Sequence, residues 1–182
     1  MKVRRWLSVL VVLAAIVGAI WLVAKVSGEE AAPAGSGGTG TAAGSAPAIA
    51  MPSGARPEAV GYVHDGDTVF LDDGTKVRLL GVDTPEVGEH LECYGEEARE
   101  LLRRWLPQGT RVYVVADVRP LDQYGRSLLF LFLDDGTLVN LELIEQGAAE
   151  AVVLEPNVLW ADELEAAEDR AQAAGAGMWG AC

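Results

Sequence analysis

A change of texture near residue 58 constrains this chain more than any other feature. Trp6 to Ala24 is one uncharged, mostly apolar run, and Ser27 to Pro57 is built mostly of Gly, Ala, Ser, Thr and Pro. The second stretch has almost no large apolar side chain to offset the entropy of ordering, so it reads as a flexible spacer. From Ala59 onward, short apolar runs alternate with turn residues. Folding is therefore confined to residues 58–182, a length that suits one domain around one core.

The chain divides accordingly into a basic stub (1–5), a transmembrane signal anchor (6–24), a disordered linker (25–57) and a folded domain (58–182). At about 1.5 Å per residue, the apolar run makes roughly 28 Å of helix, close to the hydrocarbon thickness of a bilayer. Lys2, Arg4 and Arg5 precede it, which places the stub inside and the rest of the chain outside. Lys25, rather than a small-residue cleavage site, follows Ala24. The expectation is an uncleaved anchor with an extracytoplasmic domain, or a secreted protein if the segment is removed.

The whole chain carries 14 Lys+Arg against 27 Asp+Glu. Setting aside residues 1–57 leaves nine basic and 25 acidic residues, a domain charge of -16. Taken alone, that balance argues against a nucleic-acid partner, unless Arg99, Arg103, Arg104 and Arg119 gather into a basic track.

Five strands are predicted: Val60–Val63, Thr68–Leu71, Lys76–Val82, Arg111–Val115 and Ser127–Leu133. Asp72-Asp73-Gly74-Thr75 and Asp134-Asp135-Gly136-Thr137 read as tight turns whose acids are turn formers. Ala98, Leu101, Leu102, Trp105 and Leu106 recur at helical spacing, with charged residues opposite, and predict a helix packed on the sheet. Leu138–Gln146 predicts a short helix ended by Gly147, and Trp160 to Ala174 a last one ended near Gly175. The fold class is α+β, a small closed five-stranded barrel with three helices. Its tryptophans belong to the core, and His64 and His90 to surface or turn positions.

Two hairpin-linked strands deliver a group of acids. Asp65-Gly66-Asp67-Thr68 enters the second strand, and Arg78-Leu79-Leu80-Gly81-Val82-Asp83-Thr84-Pro85-Glu86 closes the third. An EF-hand starting at Asp65 fails because its twelfth position is Lys76. With only His64, His90, Cys93 and Cys182 available, no zinc-ligand spacing exists either. Oxygen ligands alone point to a hard cation, Ca²⁺ or Mg²⁺. On a regular strand Arg78 and Asp83 would face opposite ways, so a bend is needed, and Gly81 can supply it. Asp122-Gln123-Tyr124-Gly125-Arg126 brings a second guanidinium. Arginines bind phosphate bidentately and stay charged, so these residues compose a phosphodiester-cleaving constellation.

In this order the residues resemble the staphylococcal nuclease (thermonuclease) family, whose blocks read DGDT, R-x-x-x-x-D-T-P-E and D-x-Y-G-R. The resemblance extends over Asn140-x-x-Leu143-x-x-x-Gly147, Glu155-Pro156-Asn157 and Gly177-Met178-Trp179-Gly180. It implies an OB-fold barrel that cleaves DNA and/or RNA to 3′-phosphate ends. Asp67 and Asp83 would be Ca²⁺ ligands, with Thr84 adding its carbonyl. Glu86 would orient or deprotonate the attacking water, Arg78 and Arg126 would bind the scissile phosphate, and Tyr124 would contact substrate. A monomer is expected.

Three departures from the family pattern concern substrate affinity. The Val87–Glu92 loop looks shorter, Glu150–Leu154 lacks the family's tyrosines, and Gln123 stands where the family has a lysine. The rival reading is a catalytically silent OB-fold binding module for nucleic acid or protein. Finally, two cysteines in a domain outside the membrane are expected to pair as a Cys93–Cys182 disulfide.

Overall fold

A computed structural model describes residues 49–182; the expected stub, anchor and most of the linker lie outside the described residues. Among the described residues no helix is long and apolar enough to cross a membrane.

Alternating apolar residues set the barrel. Its strands are β1 (Arg56–Val63), β2 (Thr68–Leu71), β3 (Lys76–Leu79), β5 (Arg111–Val115) and β6 (Ser127–Phe132), closed in the order β1-β2-β3-β6-β5. All neighbours are antiparallel except β3 and β6, which run parallel with Val77 opposite Ser127 and Leu79 opposite Leu129. A register shift between Val60 and Tyr62 bends β1, so that its first half pairs with β5 and its second half with β2. Closure leaves no edge strand in the barrel to be protected. β1 begins two residues before the expected domain edge, and Ile49 and Met51 pack against the core, so ordered chain reaches back into the expected linker.

The third predicted strand is broken. It stops at Leu79 and resumes as β4 (Val82–Asp83), which pairs with β7 (Glu150–Ala151) in a separate two-stranded sheet. Gly81 makes the break with φ 74°, a left-handed backbone that costs side-chain-bearing residues. A Cβ there would also lie 2.3 Å from Leu164 Cδ1, so glycine is needed for both space and conformation.

Helix α1 (Gly95–Trp105) buries Ala98 and Leu102, half-buries Leu101 and Trp105, and turns its charged face outward, as its periodicity predicts. α2 (Val139–Glu145) and α3 (Ala161–Ala174) pack on each other beside β6. A short fourth helix, α4 (Met178–Ala181), goes beyond the three expected. The core is centred on Phe130, Phe132, Leu131, Leu79, Leu102 and Leu143, all essentially inaccessible. Each such side chain contributes about 1.5–3 kcal/mol on burial. Trp160 is half-buried and meets Phe130 and Phe132 edge to face, at 4.7 and 5.6 Å between ring centres. His64 and His90 are exposed, as expected.

Asn140 ties these layers together from a wholly buried position. β3 turns away after Leu79, and Asn140 Oδ1 accepts the Leu131 N–H of β6 at 2.9 Å. Its Nδ2 donates to the Leu80 carbonyl at 2.8 Å, just before the Gly81 bend. Cys93 and Cys182 form the expected disulfide, which fastens the C-terminus to the segment preceding α1.

Candidate functional site

The bend at Gly81 decides the site. By doubling back after Leu80, the chain returns Asp83 to Arg78, whose Nη2 lies 2.7 Å from Asp83 Oδ1 and 3.0 Å from Asp67 Oδ2. The two carboxylates therefore converge on one nitrogen. Arg78 Nη1 donates to the Leu79 and Val82 carbonyls at 2.9 and 2.5 Å and Nη2 donates to Asp83, with Asp67 in ion-pair contact, so the guanidinium is held from both ends.

Asp67 is buried where Asp83 is exposed. Its Oδ1 accepts the Thr68 hydroxyl at 3.0 Å, and its own N–H donates to Asp65 Oδ1 at 3.1 Å. Desolvation pushes its carboxyl from the ordinary 3.8 up to about 6; Arg78 opposes the shift, while Asp65 and Asp83 add to it. Thr84 is buried and packs on Gly66, where a Cβ would sit 2.5 Å from its hydroxyl. That contact fixes the Asp83–Glu86 segment against the Asp65–Asp67 turn. From beneath, Gly95 at the start of α1 passes so close that a Cβ would meet the Glu86 carbonyl at 2.3 Å.

Glu86 itself is exposed. Its N–H donates to Glu92 Oε2 at 3.0 Å and its carbonyl accepts the Glu92 N–H at 2.9 Å, which closes the short 86–92 loop.

The second arginine comes from the turn between β5 and β6. Asp122 Oδ1 accepts the N–H groups of Tyr124 and Arg126 at 2.9 and 2.8 Å, while Oδ2 accepts Arg126 Nε at 2.6 Å. One carboxylate thus shapes the turn and aims its guanidinium. Partial desolvation acts in the opposite direction, but the bonds from Arg126 and Tyr124 hold the Asp122 carboxyl below its ordinary 3.8. The Arg126 guanidinium lies 5.6 Å from the centre of the exposed Tyr124 ring.

Arg78, Arg126 and Tyr124 line one open cleft of about 510 Å³ together with Arg119, Asp122, Gln123, Val153 and Leu154. Asp67 and Asp83 adjoin it through Arg78, and Glu86 stands outside its lining. The wall expected to lack tyrosines is indeed aliphatic, formed by Val153 and Leu154.

The sequence offers Arg119 only as a member of a possible basic track. The structure instead places it in the cleft, without a carboxylate within 4.0 Å among the described residues. Its backbone is clamped by the buried Asn157, which accepts the Arg119 N–H at 2.7 Å and donates to its carbonyl at 3.0 Å. No local pattern signals this role, because the clamp joins positions 38 residues apart. The track does not assemble: Arg99 pairs with Glu96 and Arg103 with Glu100 on the outer face of α1, and Arg104 lines a different groove.

The donor chemistry suits a hard cation. Among the described residues no three acids, histidines or cysteines gather closely enough to hold a metal by themselves. A cation would rest on the converging Asp67 and Asp83 carboxylates, the Thr84 carbonyl and water. The desolvated Asp67 carboxyl, only partly compensated by Arg78, is a group such a cation would relieve.

The family described as staphylococcal nuclease homologue matches residues 76–181. The thermonuclease of Staphylococcus intermedius is 36% identical over 123 residues, covering 64% of this chain and 72% of that protein. That of Staphylococcus hyicus is 33% identical over the same shares. Endonuclease YncB of Bacillus subtilis is 33% identical over 122 residues, 63% of this chain and 57% of its own length.

Proposed function

This chain belongs to the staphylococcal nuclease homologue family, and from that premise we propose a calcium-dependent nuclease that hydrolyses DNA and/or RNA to 3′-phosphate ends. The observation that carries the reading is Arg78: one nitrogen binds both Asp67 and Asp83 while the same side chain lines the cleft of Arg126 and Tyr124. Cation ligands and phosphate ligands are thereby adjacent.

Bound Ca²⁺ would supply positive charge to the phosphate and a more acidic water. Were a cation to take up the charge of Asp67 and Asp83, Arg78 Nη2 would be free to bind a phosphate oxygen. Nη1 is bonded to the Leu79 and Val82 carbonyls, which keep the guanidinium at the site. Arg126, steadied by Asp122, binds a second non-bridging oxygen. Together the arginines stabilise the extra charge of the five-coordinate transition state, the electrostatic contribution that usually dominates. Glu86, exposed three residues along the chain from Asp83, accepts the proton of the attacking water. The P–O5′ bond breaks, and the leaving oxygen takes a proton from solvent. Arg119 replaces the cationic charge that Gln123 does not provide, by contacting a neighbouring phosphate.

The Cys93–Cys182 disulfide supports an extracytoplasmic domain, because such bonds persist in oxidising compartments. We read residues 6–24 as its tether, or as a signal whose removal releases a secreted enzyme. The test is digestion of denatured DNA and of RNA with millimolar Ca²⁺ and with excess EGTA. Cleavage that requires Ca²⁺ and falls by about 10²–10³ in Arg78→Ala and Arg126→Ala supports the reading. Full activity in EGTA, or none with Ca²⁺, refutes it.

A further inference from the structure

The outer face of β1, β2 and β3 carries a group that the cleft does not use. Along these strands Val63, Val69, Leu71, Val77 and Leu79 point into the core, so Tyr62, Phe70 and Lys76 point out. Tyr62 and Phe70 are stacked, with ring centres 4.5 Å apart and planes within 9°. Lys76 Nζ lies 5.6 Å from the centre of the Phe70 ring, and the exposed His64 meets that ring edge-on at 6.0 Å. Tyr62 is 51% exposed, so its ring stacks on Phe70 and still offers surface to solvent.

Charge singles out the same place. Of the ten lysines and arginines from residue 49 onward, seven lie within 4.0 Å of a carboxylate. Lys76, Arg104 and Arg119 do not. Arg119 serves the cleft, and Lys76, the sole lysine of the described residues, stands beside the stacked rings. In a domain with so large an acidic excess, a lysine that escapes pairing is a conspicuous anion ligand.

The patch is also continuous with the cleft. Phe70 pairs with Lys76 and Thr68 with Arg78, so Lys76 is two residues from Arg78 on the same face of β3, about 6.6 Å along the strand. Aromatic rings with an adjacent cation form the platform on which single-stranded nucleic acid stacks its bases and rests its phosphates, and Tyr62 is the exposed end of this face, whereas Thr68 and Arg78 are covered.

We propose that Tyr62, Phe70 and Lys76 form an accessory binding site for single-stranded nucleic acid, with a base stacked on Tyr62 and a phosphate on Lys76, which extends the substrate path beyond the cleft. The site rests on the nuclease reading for its purpose but not for its chemistry. It offsets the aliphatic wall of Val153 and Leu154 by holding the strand one step away from the reacting phosphate.

The test measures anisotropy of a fluorescein-labelled oligothymidylate of about sixteen nucleotides, near the upper site size of an OB-fold, with the full-length chain in EDTA, which prevents turnover. Tyr62→Ala should weaken binding by about five- to a hundred-fold, while Tyr62→Phe stays within about twofold of the parent. Lys76→Gln should weaken binding and reduce the slope of log K against log salt by about 0.7, one single-strand phosphate contact. With Ca²⁺, Tyr62→Ala should raise KM for the long oligonucleotide and leave dinucleotide cleavage unchanged. Binding that ignores Tyr62→Ala overturns the proposal, as does equal damage to dinucleotide cleavage, or a self-association of the parent that Tyr62→Ala abolishes. A chain that cleaves nothing yet binds through Tyr62 upholds the site and overturns the nuclease reading alone.

Discussion

Replacing Asn140 with alanine removes the side chain that joins α2 to the broken end of β3. Two buried backbone groups lose their partners: the Leu131 N–H, bonded at 2.9 Å, and the Leu80 carbonyl, bonded at 2.8 Å. The Leu129 carbonyl, which Nδ2 approaches at 3.4 Å, is unaffected because the Leu80 N–H already donates to it at 2.9 Å. Leaving a buried polar group unsatisfied costs about 1–3 kcal/mol, so two orphans should cost roughly 2–6 kcal/mol, a large part of the stability of an ordinary domain. Urea unfolding followed by tryptophan fluorescence reads this directly. With a slope of about 2 kcal/mol/M, a loss near 4 kcal/mol lowers the midpoint by roughly 2 M. Asn140→Asp keeps an acceptor for Leu131 but offers nothing to Leu80 and buries a charge, so it should be at least as damaging at neutral pH. Catalysis should fall further than the folded fraction does, because the Leu80 carbonyl precedes the bend that returns Asp83 to Arg78. A loss below about 1 kcal/mol in Asn140→Ala, with an unchanged slope, would refute the reasoning and show that water serves both groups.

Reduction of the Cys93–Cys182 bridge, which spans 89 residues, should cost about 4–5 kcal/mol in the chain-entropy account, an upper figure checked by urea midpoints with and without reductant. Arg119→Gln should raise KM for polynucleotide while kcat stays within about threefold, and equal loss in both would remove Arg119 from substrate binding. Asp122, held below its ordinary 3.8 by Arg126 and Tyr124 despite opposing desolvation, contributes stability that is present above that value and lost as pH falls through its lower folded value. Acid titration of Asp122→Asn should accordingly show a shallower loss of stability below pH 4 than the parent, and identical curves would contradict the assignment.

Much of this protein was legible in its sequence because the relevant signals are local. Alternation of apolar residues specified the barrel strands, since a one-residue slip would expose the core face of Val77 and Leu79. Helical spacing specified α1 through Ala98, Leu102 and Leu106, and Gly81 announced the bend that Arg78 and Asp83 required. What the tertiary structure decided depends on contacts between distant positions. Nothing near residue 119 says that Asn157 will clamp it into the cleft, and nothing near residue 140 says that its amide will replace a missing strand. The stacking of Tyr62 on Phe70 follows from the register of β1 against β2 after the shift at Gly61. That register is set by how the barrel closes, so which side chains share the outer face with Arg78 became definite only when the sheet was complete.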